Sequence, residues 1–186
     1  MKRITVYAGS REGADPQYIE DATALGLELA RREIKLIYGA GGRGMMGAVA
    51  NACLSAGGIV HGIIPDFMVD LEWAHKGISE LEIVEDMSIR KDRLRDTDGF
   101  VTLPGGVGTL EEFIEIWSWS ALGILQQPLG ILNTASYYDP FIEMVKRIVE
   151  AGYADTSVSD LLIVDTDISR LLDRMEAFVH PGLVKS

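Results

Sequence analysis

Apolar positions along this chain switch repeatedly between two periods. Short, nearly continuous apolar runs cover Arg3 to Ala8, Ile34 to Tyr38, Ile59 to Ile64, Leu81 to Val84, Gly99 to Leu103, Pro128 to Leu132 and Leu161 to Val164. Their length and their Val and Ile content predict buried strands. Helical spacing fills the intervals. Pro16 to Glu33 sets Ile19, Ala22, Leu25 and Leu29 on one face, with Asp15-Pro16 as N-cap and first turn. Further helices are predicted over Met45 to Ala56, Ser88 to Arg95, Leu110 to Leu122, Tyr138 to Ala151 and Ile168 to Phe178. Gly57-Gly58 ends the second helix, Pro65 stops the third strand, and residues 66–79 read as irregular.

Strands separated by helices form βαβ units, and such units build a parallel sheet covered on both faces. The predicted fold is therefore α/β, in one domain spanning residues 1–180 with a fraying tail at 181–186. Ligands of such sheets bind at the carboxyl ends of the strands. Three glycine turns fall there: Gly9-Ser10, the stretch from Gly39 to Gly44, and Pro104-Gly105-Gly106-Val107-Gly108.

A glycine turn between a strand and a helix start is suited to an anion. Bare backbone N–H groups approach the ligand, and the helix start adds free donors and a partial positive charge. Glu112 follows the third turn closely and would set a carboxylate beside that cradle. A second account of Glu112 stands beside this one: Thr109-Leu110-Glu111-Glu112 spells a capping box, with Thr109 as N-cap and Glu112 reaching back to the backbone. Glu111 and Glu115 read as solvent-facing helix charges. Gly39, Gly41 and Gly44 fit the dinucleotide fingerprint, with Asp66 at the spacing of a ribose-binding acid, but the turn follows the second strand and no nicotinamide half is evident.

Composition narrows the chemistry. A net charge of −11 argues against binding a nucleic-acid polymer, which needs a basic surface, but leaves room for one phosphate in a locally basic pocket. Arg90, Lys91, Arg93 and Arg95 reverse the sign locally, as either an electropositive wall for a phosphate or a solvated face paired with Asp92, Asp96 and Asp98. Cys53 is the only cysteine, so no intrachain disulfide and no cysteine-built metal site is expected. The three histidines form no recognisable metal motif. No run of about 18 apolar residues is present, so no membrane span is expected and the default is a cytoplasmic protein. Trp117 and Trp119 point to different faces of one helix; one is expected in the core and the other, with Leu122 and Ile124, on an apolar patch buried between two copies.

Pro104 through Glu112 matches P-G-G-x-G-T-x-x-E at every fixed position, and Met87, Arg90 and Lys91 match an upstream Met-x-x-Arg-Lys. In these motifs, and in Gly9-Ser10, the Gly39 to Gly47 turn, Trp119-x-x-Leu122-Gly123 and Tyr137-Tyr138, nearly the whole chain resembles the Lonely Guy family. These are cytokinin riboside 5′-monophosphate phosphoribohydrolases, often labelled lysine decarboxylases. The resemblance implies a Rossmann-like fold, a homodimer or further assembly of dimers, and no metal or cofactor. It implies hydrolysis of the N-glycosidic bond of an N6-modified adenosine monophosphate, or of AMP, to free base and ribose 5-phosphate. Carried over by position, Arg90 and Glu112 would be catalytic. Gly9, Ser10, Gly41, Gly42, Glu72, Met87, Lys91, Gly105, Gly106, Val107, Gly108, Thr109 and Glu111 would line the nucleotide site. The chain departs from the pattern at Ala40, where glycine is common, at Val107, where an aromatic is frequent, and in a segment one residue shorter between Arg90 and Pro104. These departures bear on substrate preference.

The chemistry fits these residue types independently. Cleaving a ribose–base bond develops an oxocarbenium-like cation, which a nearby carboxylate stabilises while orienting or deprotonating water. The competing function class is a protein of the same fold that binds a nucleotide or a molybdenum cofactor without cleaving it. A pure binder needs the glycine turns but not the Arg90 and Glu112 pair. Lysine decarboxylation is disfavoured, because no lysine stands in a cofactor-anchoring context.

Overall fold

The computed structural model describes residues 1–69 and 74–182. Its elements run β1 (Arg3–Tyr7), α1 (Pro16–Arg31), β2 (Lys35–Tyr38), α2 (Gly44–Ser55), β3 (Val60–Pro65), α3 (Asp66–Val69), β4 (Glu80–Val84), α4 (Met87–Leu94) and β5 (Phe100–Thr102). They continue with α5 (Val107–Ala121), β6 (Leu129–Leu132), α6 (Asp139–Glu150), α7 (Ser157–Asp160), β7 (Leu162–Asp165) and α8 (Ile168–Glu176).

All neighbouring strands pair in parallel, in the order β4-β3-β2-β1-β5-β6-β7. The chain builds outward from β1 through β4, crosses back to the other side of β1, and builds outward again. Strand order therefore reverses between β1 and β5, and the crevice beyond their carboxyl ends is where a Rossmann-like sheet binds its ligand.

Alternation along the strands divides the core into two layers. Ile4, Val6, Leu36 and Tyr38 face α1, α2 and α8. Tyr7, Ile37, Ile63 and Phe100 face α4, α5 and α6. In α5 the inward residues Phe113, Ile116 and Trp117 are all buried, and the Trp117 indole donates to the Val158 carbonyl at 3.0 Å. At roughly 1.5–3 kcal/mol for each large apolar side chain buried, these anchors hold the start of α5 in place.

Three expectations are corrected. The helix expected from Leu110 begins at Val107, so its N-cap is Gly106 and no side chain caps it. Thr109 is thus the third helical residue, and Glu112 lies too deep in the helix to complete a capping box. The helix expected from Ser88 begins at Met87, because Asp86 takes the cap and accepts from the Ile89 N–H at 2.8 Å. Residues 66–79 are not wholly irregular, since α3 occupies their first turn.

Candidate active site

The three glycine turns meet at the point of strand reversal. The Gly9 N–H donates to the Pro104 carbonyl at 3.0 Å, and the Met46 N–H donates to the Gly9 carbonyl at 3.2 Å. The first turn is thereby tied to both of the others. A cleft of about 790 Å³ opens above them. Ser10, Gly41, Gly42, Met87, Arg90, Gly106, Val107, Gly108, Thr109, Glu111 and Glu112 line it, all named from sequence. Gly9 and Gly105 line an adjoining smaller hollow with Tyr18 and Tyr137. Glu72 lies outside the described residues.

Glu112 and Arg90 form the centre of the cleft wall. Arg90 Nη1 donates to Glu112 Oε1 at 2.6 Å, with the two side chains 8% and 12% exposed. Arg90 Nε donates to the Ile63 carbonyl at 3.3 Å, fixing the guanidinium at a second point. Gly39 makes the third. A methyl group there would clash with Arg90 Nη2, so only glycine leaves the guanidinium its seat. Removal from water pushes the Glu112 carboxyl above the usual glutamate value, and Arg90 pulls it partly back. Tyr7, buried close by, is held neutral far into alkali by its own desolvation and then by the Glu112 charge.

Lys91 does not line the cleft. Its ammonium lies 2.8 Å from Glu111 and 3.0 Å from Glu115. Arg95 pairs with Asp92 and Glu115 and lies over the Trp119 ring at 4.1 Å, while Arg93 pairs with Glu82 at 2.9 Å. Among the described residues, the basic run thus contributes only Arg90 to the cleft. Glu115 is a network member instead of a free surface charge, and Trp119 is half-buried under Arg95, leaving Leu122 and Ile124 as the bare apolar pair.

Positive charge at the cleft mouth comes instead from Arg11 and Arg43, both exposed and without an ion pair among the described residues. The sequence reading missed them. Their signal was position, since each stands inside a βα turn, directly after Gly9-Ser10 and Gly42. Ile64, Met46, Met68, Met87 and Val107 add apolar surface to the lining. Among the described residues, no three His, Cys, Asp or Glu side chains are grouped so as to hold a metal ion.

A parallel sheet with three glycine turns at its reversal point and a buried Arg–Glu pair beside them defines a Rossmann-like α/β protein with a candidate active-site cleft. Residues 46–175 match a protein family described as "Possible lysine decarboxylase". The chain is 39% identical over 169 residues to a cytokinin riboside 5′-monophosphate phosphoribohydrolase of Rhodococcoides fascians, covering 90% of this chain and 85% of that one. An Arabidopsis thaliana enzyme of the same name is 37% identical over 179 residues, 96% and 82% of the two chains. The chain belongs to this family of phosphoribohydrolases. Among solved structures, the molybdenum cofactor carrier protein of Chlamydomonas reinhardtii matches 95% of this chain and 99% of its own at a TM-score of 0.68, with 18% identity. That likeness carries the fold alone. Among the described residues, no helix is long and apolar enough to cross a membrane.

Proposed function

We propose that the protein hydrolyses the N-glycosidic bond of adenosine 5′-monophosphates, those bearing an N6 substituent included, to free base and ribose 5-phosphate. The observation that carries this reading is the buried Arg90–Glu112 pair, set into a cleft whose floor is the start of α5. The N–H groups of the first helical turn have no partner within the helix and would receive the 5′-phosphate. Phosphate binding there would fix the ribose so that its anomeric carbon comes to the Glu112 carboxylate. As the C–N bond breaks, its electron pair leaves with the base and positive charge grows on the sugar. Glu112 would stabilise that charge and take a proton from the attacking water, whose oxygen becomes the new anomeric hydroxyl. Arg90 holds the carboxylate through Nη1 and would hydrogen-bond the departing base without giving up its own proton; the proton that Glu112 takes from water passes to the base. The methionine-rich lining suits an apolar N6 group, because thioether side chains adapt to varied shapes.

The same reading includes a homodimer through the exposed Leu122 and Ile124 and a cytoplasmic setting. A direct test supplies AMP, N6-isopentenyl-AMP and the matching nucleosides, and follows free base by chromatography. The nucleotides should be cleaved and the nucleosides left intact. Equal rates on nucleosides would sink the phosphate anchor, and tight nucleotide binding with no base released would favour the carrier class.

A further inference from the structure

The carbonyls of the third glycine turn are all engaged. Leu103 O accepts from the Tyr138 hydroxyl at 2.7 Å, and Pro104 O from the Gly9 N–H at 3.0 Å. Gly105 O accepts from the Tyr137 hydroxyl at 2.5 Å, and Gly106 O from the Leu110 N–H at 3.1 Å. In a planar trans peptide the N–H points opposite to the carbonyl. Fixing Gly105 O toward Tyr137 therefore turns the Gly106 N–H away from Tyr137. Gly106 lines the cleft, and its N–H has no acceptor among the described residues.

We infer that Tyr137 is a positioning residue, which aims the Gly106 N–H at the substrate phosphate by holding the Gly105 carbonyl from behind. The segment that delivers it is built under strain. Ala135 and Ser136 both adopt left-handed backbone, with φ of 49° and 59°, a conformation that non-glycine residues rarely enter. The surroundings hold them there. The Thr134 hydroxyl donates to Asp21 at 2.6 Å, the Asn133 side chain donates to Asp139 at 2.7 Å, and Asn133 Oδ1 accepts from the Tyr138 N–H at 2.8 Å. Tyr18 packs edge-on against the Tyr137 ring at 5.8 Å, fixing the direction of its hydroxyl. Tyr18 and Tyr137 line the adjoining hollow and not the cleft itself, so the brace reaches the cleft through the Gly105–Gly106 peptide.

This inference rests on the α5 start being the phosphate site. Tyr137→Phe keeps the ring and removes one oxygen. Titration of ribose 5-phosphate by calorimetry, with AMP kinetics on the same preparations, tests it. The variant should bind ribose 5-phosphate roughly three- to tenfold more weakly and raise KM for AMP to match, as loss of one hydrogen bond's orienting effect implies, with kcat changed less than about twofold. Unchanged ribose 5-phosphate affinity and KM would overturn the brace, whether or not melting temperature falls. If the wild-type protein itself fails to bind ribose 5-phosphate, the phosphate site falls first and the role of Tyr137 with it.

Discussion

Glu112 is held in surroundings that resist its charge. Burial alone would leave the carboxyl protonated well above the ordinary range, and the 2.6 Å contact with Arg90 restores part of its acidity. A carboxylate poised this way is a better proton acceptor than an exposed glutamate. The direction of the shift gives a prediction. The working form is the carboxylate, so kcat/KM should fall as pH drops, with a midpoint above the usual glutamate value of about 4.3. A profile flat through that region, or a limb surviving in Glu112→Gln, would remove Glu112 from the chemistry. Stability carries the opposite sign. Because the folded value is raised, this one group favours folding most at low pH, and that contribution is lost as pH climbs from the unfolded toward the folded value. Identity and spacing at Glu112 were legible in the sequence, but the choice between cap and catalyst was not. The start of α5, three residues earlier than expected, removes the cap and leaves the catalytic role as the proposal.

The first turn of α5 separates what the fold needs from what a ligand needs. Gly105 packs against Thr109, so a side chain there would displace the helix start. At Gly108 an added methyl group meets nothing within 4 Å, and the residue is already helical. Alanine should therefore stabilise the protein, by up to about 1 kcal/mol from helix propensity. The same methyl group projects from a residue lining the cleft and should crowd the phosphate. The expected outcome for Gly108→Ala is a melting temperature equal to or above wild type, with KM for AMP raised at least about tenfold. An undisturbed KM would mean that the phosphate lies elsewhere. The motif made this turn visible, whereas the basic run from Arg90 to Arg95 read two ways, as a phosphate wall or as a paired face, and Lys91, Arg93 and Arg95 prove to spend their charge on neighbouring acids. Sequence spacing places residues on a helix but does not rank the partners that the next helix brings.

The order of strands concentrates sparse features of the chain at one place. Gly9, Gly39 and Gly105 are far apart in sequence, and only the reversal between β1 and β5 brings their turns into contact. Alternating strand and helix patterns sufficed to read the parallel sheet, because the strands and the longer helices are apolar enough to be recognised alone, whereas the four-residue α3 and α7 are too short to show a period. Arg11 and Arg43 escaped notice for the opposite reason. Each is a single exposed residue in a turn, and its meaning depends on the neighbour the topology supplies. In a chain of net charge −11, Arg11 and Arg43 supply the unpaired cationic groups, among the described residues, that the proposed anionic substrate calls for at the cleft.

The central claim is that this cleft cleaves a nucleotide with Glu112 as its working carboxylate. The most direct measurement compares free-base release from N6-isopentenyl-AMP and AMP by wild type and by Glu112→Gln, with thermal melting of both proteins. Glutamine keeps an acceptor for Arg90, so the variant should stay folded while base release falls roughly 10²- to 10⁴-fold. A folded Glu112→Gln protein that releases base at the wild-type rate would contradict the account.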